Sequence, residues 1–326
     1  MADLRLTYMG LELSNPLIVA SSSLTNTAAR VRDCESHGAG AVVLKSLFEE
    51  QIKAQTDSLE EASWPYSHPE AYDYVRQMGM RLGQEEYLKL IEESKKAVSI
   101  PVIASLNCVS TRWWLDYARQ IENSGADALE LNIAITPGLR FSAEELERLY
   151  LHIVEAVREK VKLPLAVKIG PFFSALPQMV QSLRRAGAAA LVLFNRFYQL
   201  DLDTEKLSLR PGYRFSSPEE IYLPLRWIAI LAGQARCDLA ASTGVHDSEA
   251  LIKMLLAGAS AVQVCSTLKL KGLGQIRKLL RGLEAWMESH GFKTVKEFKG
   301  KMSQGASGEP ELYERLQYIK SLVGIE

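Results

Sequence analysis

The feature that most constrains the fold is a repeated alternation along the chain. Short apolar runs rich in β-branched residues are each followed by a longer segment of helical period. This pattern is typical of βα units around a parallel sheet, and eight such units can be counted. The sequence therefore predicts the α/β class and a TIM (β/α)8 barrel. The predicted strands are 17–20, 41–45, 102–106, 128–132, 165–169, 189–194, a seventh that begins at Leu239, and 261–265.

Both ends of the chain are compatible with a barrel. The opening segment 4–13, with Met9-Gly10 in its middle, predicts a β-hairpin at the barrel bottom. Helices near 274–290 and 309–322 are predicted to close the chain. With 326 residues the chain can form one large domain or two. No linker or low-complexity tract separates two halves, so we expect a single domain over residues 1–326.

One predicted connection is unusually long. Residues 48–81 show no sustained periodicity and contain Pro65 and Pro69, which is typical of a lid or a substrate wall. A polar, aromatic loop is predicted from strand six as far as Ser217. Pro218 then suits the first turn of a helix that continues to about residue 235.

The composition argues against several classes of protein. With 38 basic and 39 acidic residues the net charge is −1, so a nucleic-acid partner is not expected. No apolar run reaches the ~18 residues of a membrane-spanning helix, and no basic segment followed by an apolar one opens the chain. We expect a cytoplasmic protein with a small-molecule substrate and no membrane partner, and a homodimer stays open. The four cysteines form no CxxC pair, so we expect buried free thiols and no metal site.

The stretch 239–267 predicts a phosphate cradle. Its first strand ends in the turn 242–244, whose backbone N–H groups can approach an anion, and the helix expected near Asp247 adds positive potential at its N-terminus. Its second strand ends in Ser266-Thr267, which can donate to the same anion. Barrel enzymes often bind phosphate in these last two loops, although an ordinary βαβ unit explains the pattern equally well. We interpret His246, beside the turn, as a solvated residue.

Several polar residues are expected at the C-terminal rim, where barrel enzymes have their active sites. Lysines at the ends of buried strands are costly unless an anion or a polarised carbonyl receives them. Together with two asparagines and a phosphate cradle, they suit a ligand with an anionic tail and a heteroaromatic head. Flavin mononucleotide (FMN) has this form, and a lysine beside its ring can stabilise the charge that develops on reduction. The predicted rim residues are Ser21, Lys45, Asn132, Lys168, Asn195, Gly244 and Ser266.

The strand ends also carry an ordered set of short motifs. They are ASS after strand one, LKS after strand two, ELN after strand four, VKI on strand five, FN after strand six, STG after strand seven and VCST after strand eight. In this order and spacing they resemble the dihydroorotate dehydrogenases over almost the whole chain. The segments SGADALELN and GASAVQVCS also resemble the flavin-bearing domain of dihydropyrimidine dehydrogenase.

This resemblance implies an FMN-binding barrel that acts on CH–CH bonds in pyrimidine metabolism, with Lys168 and Asn132 as catalytic residues. The implied substrate contacts are Lys45, Arg76, Met78, Gly79 and Asn195. The implied FMN contacts are Ala20, Ser21, Lys45, Ser105, Asn132, Lys168, Asn195, Ser217, Thr243, Gly244, Cys265 and Ser266.

Three segments depart from the family pattern. The family follows its strand-four asparagine with Ser-Cys-Pro-Asn or Ser-Ser-Pro-Asn, whose Cys or Ser removes a substrate proton, whereas residues 132–137 read Asn-Ile-Ala-Ile-Thr-Pro. A gapless alignment puts Ile135 at the position of the base, and a short deletion offers no Cys or Ser either. The substrate wall Asn-Ser-Met-Gly-Leu becomes Arg-Gln-Met-Gly-Met at 76–80, and a glycine-rich segment becomes Arg-Phe-Ser-Ser at 214–217. The flavin platform is better preserved than the pyrimidine site.

Three functions are compatible with these residues. The first is an FMN-dependent oxidoreductase that moves a hydride between the flavin and a small anionic ring or enone. The second is a non-redox lyase or isomerase that binds a substrate phosphate and uses Lys168 as acid, base or nucleophile. The third is a catalytically silent flavin-binding protein. We expect FMN and not FAD, because no GxGxxG turn follows an early strand. We also expect little dihydroorotate turnover, because Ile135 cannot accept a proton.

Overall fold

The computed structural model describes residues 2–48, 84–107, 111–135, 137–138, 141–196, 201–210 and 214–314, with a few positions beyond 314. Most of the predicted lid, including Arg76, Met78 and Gly79, lies outside the described residues.

Strands and helices alternate through most of the described chain. The strands are β1 (Leu6–Tyr8), β2 (Leu11–Leu13), β3 (Leu17–Val19), β4 (Ala41–Val43), β5 (Leu47–Phe48), β6 (Val102–Asn107), β7 (Ala128–Asn132), β8 (Leu165–Ile169), β9 (Ala190–Leu193), β10 (Asp201–Asp203), β11 (Ser208–Arg210), β12 (Asp238–Ser242) and β13 (Ala261–Val264). The α-helices are α1 (Ala28–Ser36), α2 (Gln84–Ala97), α3 (Thr111–Asn123), α4 (Ala143–Lys160), α5 (Leu176–Arg185), α6 (Tyr222–Leu231), α7 (Ser248–Ala257), α8 (Ser266–Lys271) and α9 (Gly274–Ser289). Short 3-10 helices lie at Ser23–Thr25, Pro218–Ile221, Val295–Glu297, Gln304–Ala306 and Pro310–Tyr313.

Eight parallel strands close into a barrel. Their cyclic order is β3, β4, β6, β7, β8, β9, β12 and β13, and β13 pairs with β3 to complete the circle. The short strand β5 prolongs the pairing with β6. Because all eight strands run in the same direction, their carboxyl ends meet at one rim. The predicted TIM barrel is confirmed.

The bottom of the barrel is filled by the hairpin β1–β2. Tyr8, Met9 and Leu13 enter the barrel interior, where six strands each contribute an alanine and so leave room for them. The turn residues Met9 and Gly10 have φ of 54° and 78°, as a two-residue hairpin turn requires. The Met9 N–H donates to Asp238 Oδ2 at 2.8 Å, which joins the hairpin to β12. The predicted hairpin at the barrel bottom is confirmed. The interior alanines are Ala41, Ala128, Ala166, Ala190, Ala240 and Ala261.

The outward faces of the strands are apolar as well, because helices cover them. Val167 of β8, for example, belongs to the same buried cluster as Ile153 of α4 and Val180 of α5. Strands buried on both faces explain why the sequence shows continuous apolar runs instead of alternation.

The structure corrects several predicted elements. The loop predicted after strand six contains the antiparallel hairpin β10–β11, whose short polar strands give little periodic signal. The helix predicted from Pro218 to about 235 is a 3-10 turn followed by α6, which ends at Leu231. Ser266 begins α8 instead of lying in a loop. The predicted closing helix opens with a 3-10 turn at Pro310–Tyr313.

The cysteines match their prediction in part. Cys34 is buried, and burial followed by the charge of Asp33 raises the pKa of its thiol to about 12, so it stays neutral. Cys237 and Cys265 are only half-buried, contrary to the expectation, and Cys108 lies outside the described residues. Across the described ranges, no helix combines the length and apolar character needed to cross a membrane.

Candidate active site at the barrel rim

A polar cavity opens at the carboxyl ends of the barrel strands. Nine of the twelve residues predicted to bind FMN line it. They are Ala20, Ser21, Asn132, Lys168, Asn195, Thr243, Gly244, Cys265 and Ser266.

One part of the cavity, here called the ring side, is formed by Asn132, Lys168 and Asn195. Neighbouring strands β7 and β8 supply the first two, and Asn195 lies two residues after the end of β9. Asn195 Nδ2 donates to Asn132 Oδ1 at 2.8 Å, so the two amides are locked together. This bond leaves Asn132 Nδ2 and Asn195 Oδ1 without a partner among the described residues. The ring side thus offers one donor and one acceptor side by side.

Lys168 is the cation of the ring side. It points into the barrel from β8 and is only 8% exposed. Its Nζ donates to Gln263 Oε1 of β13 at 3.1 Å, across the barrel interior. Gln263 also lines the cavity.

A second part, here called the phosphate side, is formed by Ser216, Thr243, Gly244 and Ser266. Thr243 and Gly244 both have positive φ, 81° and 79°, which is strained for a β-branched threonine. A Cβ on Gly244 would lie 2.2 Å from the backbone nitrogen of Ile221. Only glycine therefore allows the turn to approach the 3-10 helix at Pro218–Ile221. The Ser216 N–H donates to Ser266 Oγ at 3.1 Å, which links two loops.

His246 supports the phosphate side from below, and its predicted solvation is wrong. The residue is 4% exposed, and its Nε2 is hydrogen-bonded to Ser216 Oγ at 3.0 Å. Its carbonyl accepts from Lys271 Nζ at 3.0 Å and Gln275 Nε2 at 3.1 Å. Burial, and then the charge of Lys271, lower the pKa of His246 below its usual 6.5. α8 and α9 fold over the turn and exclude solvent.

A serine chain lies beside the ring side. Ser21 Oγ and Ser46 Oγ are hydrogen-bonded at 3.0 Å, and Ser46 Oγ and Ser105 Oγ at 2.8 Å. Ser105 is thus buried one layer below the cavity wall. Lys45, next to Ser46, is half-buried at the end of β4 and is not among the lining residues.

Arg196 lines the cavity directly after Asn195. Its Nε donates to Glu220 Oε2 at 2.8 Å, and it also donates to the carbonyl of Arg214. Burial alone would raise the pKa of Glu220, but the bond from Arg196 holds it below the usual range. Ser217, a predicted FMN contact, donates its N–H to the same carboxylate at 2.8 Å and begins the 3-10 helix. These bonds fix a cation at the rim.

Sequence reasoning missed Ser46, Arg196, Ser216 and Gln263 as lining residues. Gln263 could have been found, because it lies two residues before Cys265 and strand residues of equal parity face the same side. Arg196 follows a predicted strand end. Nothing in the sequence signals Ser46 or Ser216 beyond adjacency to predicted residues.

The donors of the cavity fit FMN. Hydroxyls and a glycine turn on the phosphate side suit a terminal phosphate, and a cation with two amides on the ring side suits a flavin ring. The fold and this rim define a phosphate-binding barrel oxidoreductase of the flavin class.

The sequence profile of the dihydroorotate dehydrogenase family matches residues 3–287, so the chain belongs to that family. It is accordingly an FMN-dependent oxidoreductase acting on CH–CH bonds, from a family of pyrimidine metabolism.

The alignments with curated relatives cover nearly the whole length of each relative. The chain is 28% identical to the dihydroorotate dehydrogenase B (NAD(+)) catalytic subunit of Methanothermobacter thermautotrophicus, over 91% of this chain and 97% of the relative. The subunit of the same name from Pyrococcus furiosus is 27% identical, over 91% of this chain and 98% of the relative. That from Thermoplasma acidophilum is 24% identical, over 92% and 99%.

Proposed function

We propose that the chain binds FMN at the rim cavity and transfers hydride to or from a small anionic ring or enone other than dihydroorotate. The observation that carries this proposal is the contrast between the cavity lining and the segment that follows β7. Most of the groups proposed to bind the flavin line the cavity, whereas Ile135, which a gapless alignment puts at the position of the family's base, is apolar.

The phosphate side would hold the FMN phosphate, and Ser21, Ala20 and Lys168 would contact its ring. When bound, FMN supplies a two-electron acceptor or donor. Lys168 would place its ammonium where negative charge develops on the ring, in a site with little solvent. We keep Lys45, Ser217 and Cys265 as proposed FMN contacts, whereas Ser105 would support the cavity wall through its bond to Ser46.

The asparagine pair supports a substrate with an amide-like edge. Because Asn195 Nδ2 is bonded to Asn132, the pair presents one donor and one acceptor in a fixed arrangement. A ring that carries an adjacent N–H and C=O, as pyrimidines do, matches this arrangement. Arg196, which is paired with Glu220, keeps further N–H groups that can donate to an anionic substrate nearby. Lys45, Arg76, Met78 and Gly79 remain proposed substrate contacts.

Ile135 supports a substrate other than dihydroorotate. Its side chain packs against the hydrophobic core, and its carbonyl accepts from Tyr150 Oη at 3.4 Å. An isoleucine cannot take the carbon-bound proton that dihydroorotate must lose, and a positioned base typically contributes ~10²–10⁴-fold to such a step.

The proposal is tested by anaerobic mixing of the FMN-loaded protein with dihydroorotate while flavin absorbance is followed. We expect slow bleaching in the wild type and faster bleaching in Ile135→Cys, with Ile135→Val as the matched control that should not accelerate it. Heat release and chromatography of the cofactor should give FMN. Fast bleaching of the wild type would refute the substrate proposal, and release of FAD, or no flavin after reconstitution, would refute the cofactor site.

A further inference from the structure

A carboxylate is buried inside the barrel below the cavity. Glu130 points inward from β7 and is 1% exposed. Its Oε2 accepts from Gln263 Nε2 at 2.5 Å, and its Oε1 has no hydrogen-bond partner in the described part of the chain. Burying an ion costs several kcal/mol unless other groups compensate it. A residue that only filled space here would not need a charge.

Gln263 connects this carboxylate to Lys168. The amide donates to Glu130 through Nε2 and accepts from Lys168 Nζ through Oε1. A carboxylate can only accept and an ammonium can only donate, so the amide has a single allowed orientation. Three strands, β7, β13 and β8, therefore hold a continuous carboxylate–amide–ammonium chain that ends on the ring side.

Two tyrosines whose pKa values are raised in part by the charge of Glu130 do not take the place of Lys168. The hydroxyl of Tyr8 is buried, and burial followed by the charge of Glu130 holds its pKa well above the usual 10, so the phenol stays neutral. Tyr87 Oη donates to the carbonyl of Ser105 at 2.9 Å instead. Among the described residues, the charged group joined to Glu130 through hydrogen bonds is Lys168.

We propose that Glu130 is a positioning residue that acts through Gln263 to aim the ammonium of Lys168 at the ring side. This inference rests on the proposed function, in which Lys168 faces the flavin ring. Glu130 touches neither cofactor nor substrate.

The direction in which Glu130→Gln changes the ease of flavin reduction distinguishes this role from a direct electrostatic one. Glu130→Gln keeps the size of the side chain but removes its charge. Acting directly through space, loss of a nearby negative charge would make the flavin easier to reduce. Acting through Lys168, it makes reduction harder, because an amide at position 130 permits both orientations of Gln263. The flipped orientation turns an NH2 group toward the ammonium and displaces it.

The experiment measures the ratio of reduced to oxidised flavin in the FMN-loaded protein, at equilibrium with a reference dye. Lys168→Met should lower the ratio roughly tenfold or more. Glu130→Gln and Gln263→Met should lower it by a smaller factor, and Glu130→Gln should add nothing in the Lys168→Met background. Asp238→Asn is the matched control, because this carboxylate accepts from Ser260 Oγ and the Met9 N–H at the far end of the barrel. It should leave the ratio unchanged.

Thermal unfolding of each variant separates positioning from a merely structural role. A purely structural Glu130 would lower the melting temperature and leave the ratio unchanged, which would overturn the inference, as would a raised ratio in Glu130→Gln. If Lys168→Met lowers the ratio in either case, the proposed function survives. If the wild type does not bind FMN, or if Lys168→Met leaves the ratio unchanged, the proposed function and the role of Glu130 are both overturned.

Discussion

The ring side and the phosphate side of the cavity are built in different ways. On the ring side, Asn132, Lys168 and Asn195 project from the ends of barrel strands, and their side chains carry the chemistry. On the phosphate side, Thr243 and Gly244 form a turn with positive φ whose position is set by contact with a distant 3-10 helix. The first region depends on the identity of side chains, and the second depends on the course of the backbone.

This difference predicts two classes of variant. Substitutions on the phosphate side should act on folding and cofactor affinity together, because they move the backbone. Substitutions on the ring side should leave the fold largely intact. They should instead change the coupling between the two asparagines, the ease of flavin reduction or the choice of substrate. Three experiments test this division.

The largest effect is expected for Gly244→Ala. The new Cβ would lie 2.2 Å from Ile221 N and 2.5 Å from Ile221 Cα, both backbone atoms that cannot rotate away. We expect the free energy of unfolding to fall by more than about 3 kcal/mol and FMN affinity to be lost, because overpacking and backbone strain add. Denaturant unfolding and FMN titration measure the two effects.

Gly291 provides the matched control for this experiment. Its φ of 74° is close to the 79° of Gly244, and it ends α9 in a left-handed turn in which the Phe292 N–H donates to the Met287 carbonyl, but a Cβ there meets nothing within 4 Å. Gly291→Ala should cost only about 1 kcal/mol, from left-handed strain alone, and should keep FMN affinity. Equal losses in the two variants would show that close packing does not shape the phosphate side.

A smaller effect is expected on the ring side, from the bond between Asn132 and Asn195. A double-mutant cycle of the two alanine variants in the FMN-free protein should give a coupling free energy of about 1 kcal/mol, typical of one hydrogen bond. Asn195→Ala combined with a change at Thr27, the N-cap of α1, should be additive instead. A coupling near zero for the asparagine pair would mean that the amides are independent and that their fixed arrangement does not select the substrate.

The same division explains how far the sequence could predict the molecule. Strand order and the rim positions of Asn132, Lys168 and Asn195 follow from the repeat and from the rule that parallel strands end together. The need for glycine at position 244 could not be predicted, because it comes from close contact with Ile221, which belongs to a separate 3-10 helix. A threonine at positive φ also contradicts local preference, as strained functional turns often do.

The burial of His246 escaped prediction for a related reason. As a residue between a turn and a helix it has no local signal for burial. Its environment is created by α8 and α9, whose side chains Lys271 and Gln275 donate to its carbonyl. Turn residues covered by later elements are the positions at which reasoning from local pattern is least reliable.

The smallest effect, confined to a narrow pH range, is expected from His246 itself. Its pKa in the folded protein lies below the 6.5 of the unfolded chain, because burial and then the charge of Lys271 disfavour the imidazolium, against the opposing charges of Asp247 and Glu220. As the pH falls through 6.5, the unfolded state takes up a proton that the folded state does not, so stability is lost until the folded pKa is reached.

The carboxyl groups with lowered pKa values titrate below 4.5 and so act only at lower pH. They are Glu35, Glu145, Glu219 and Glu220. Denaturant unfolding between pH 7.5 and pH 5.5, values chosen to span roughly one unit on either side of 6.5, should show this loss in the wild type and less of it in His246→Gln. The exposed His152→Gln should keep the wild-type slope. If His246→Gln also keeps that slope, the imidazole is not held neutral by its burial, and the phosphate side is shaped by its backbone alone.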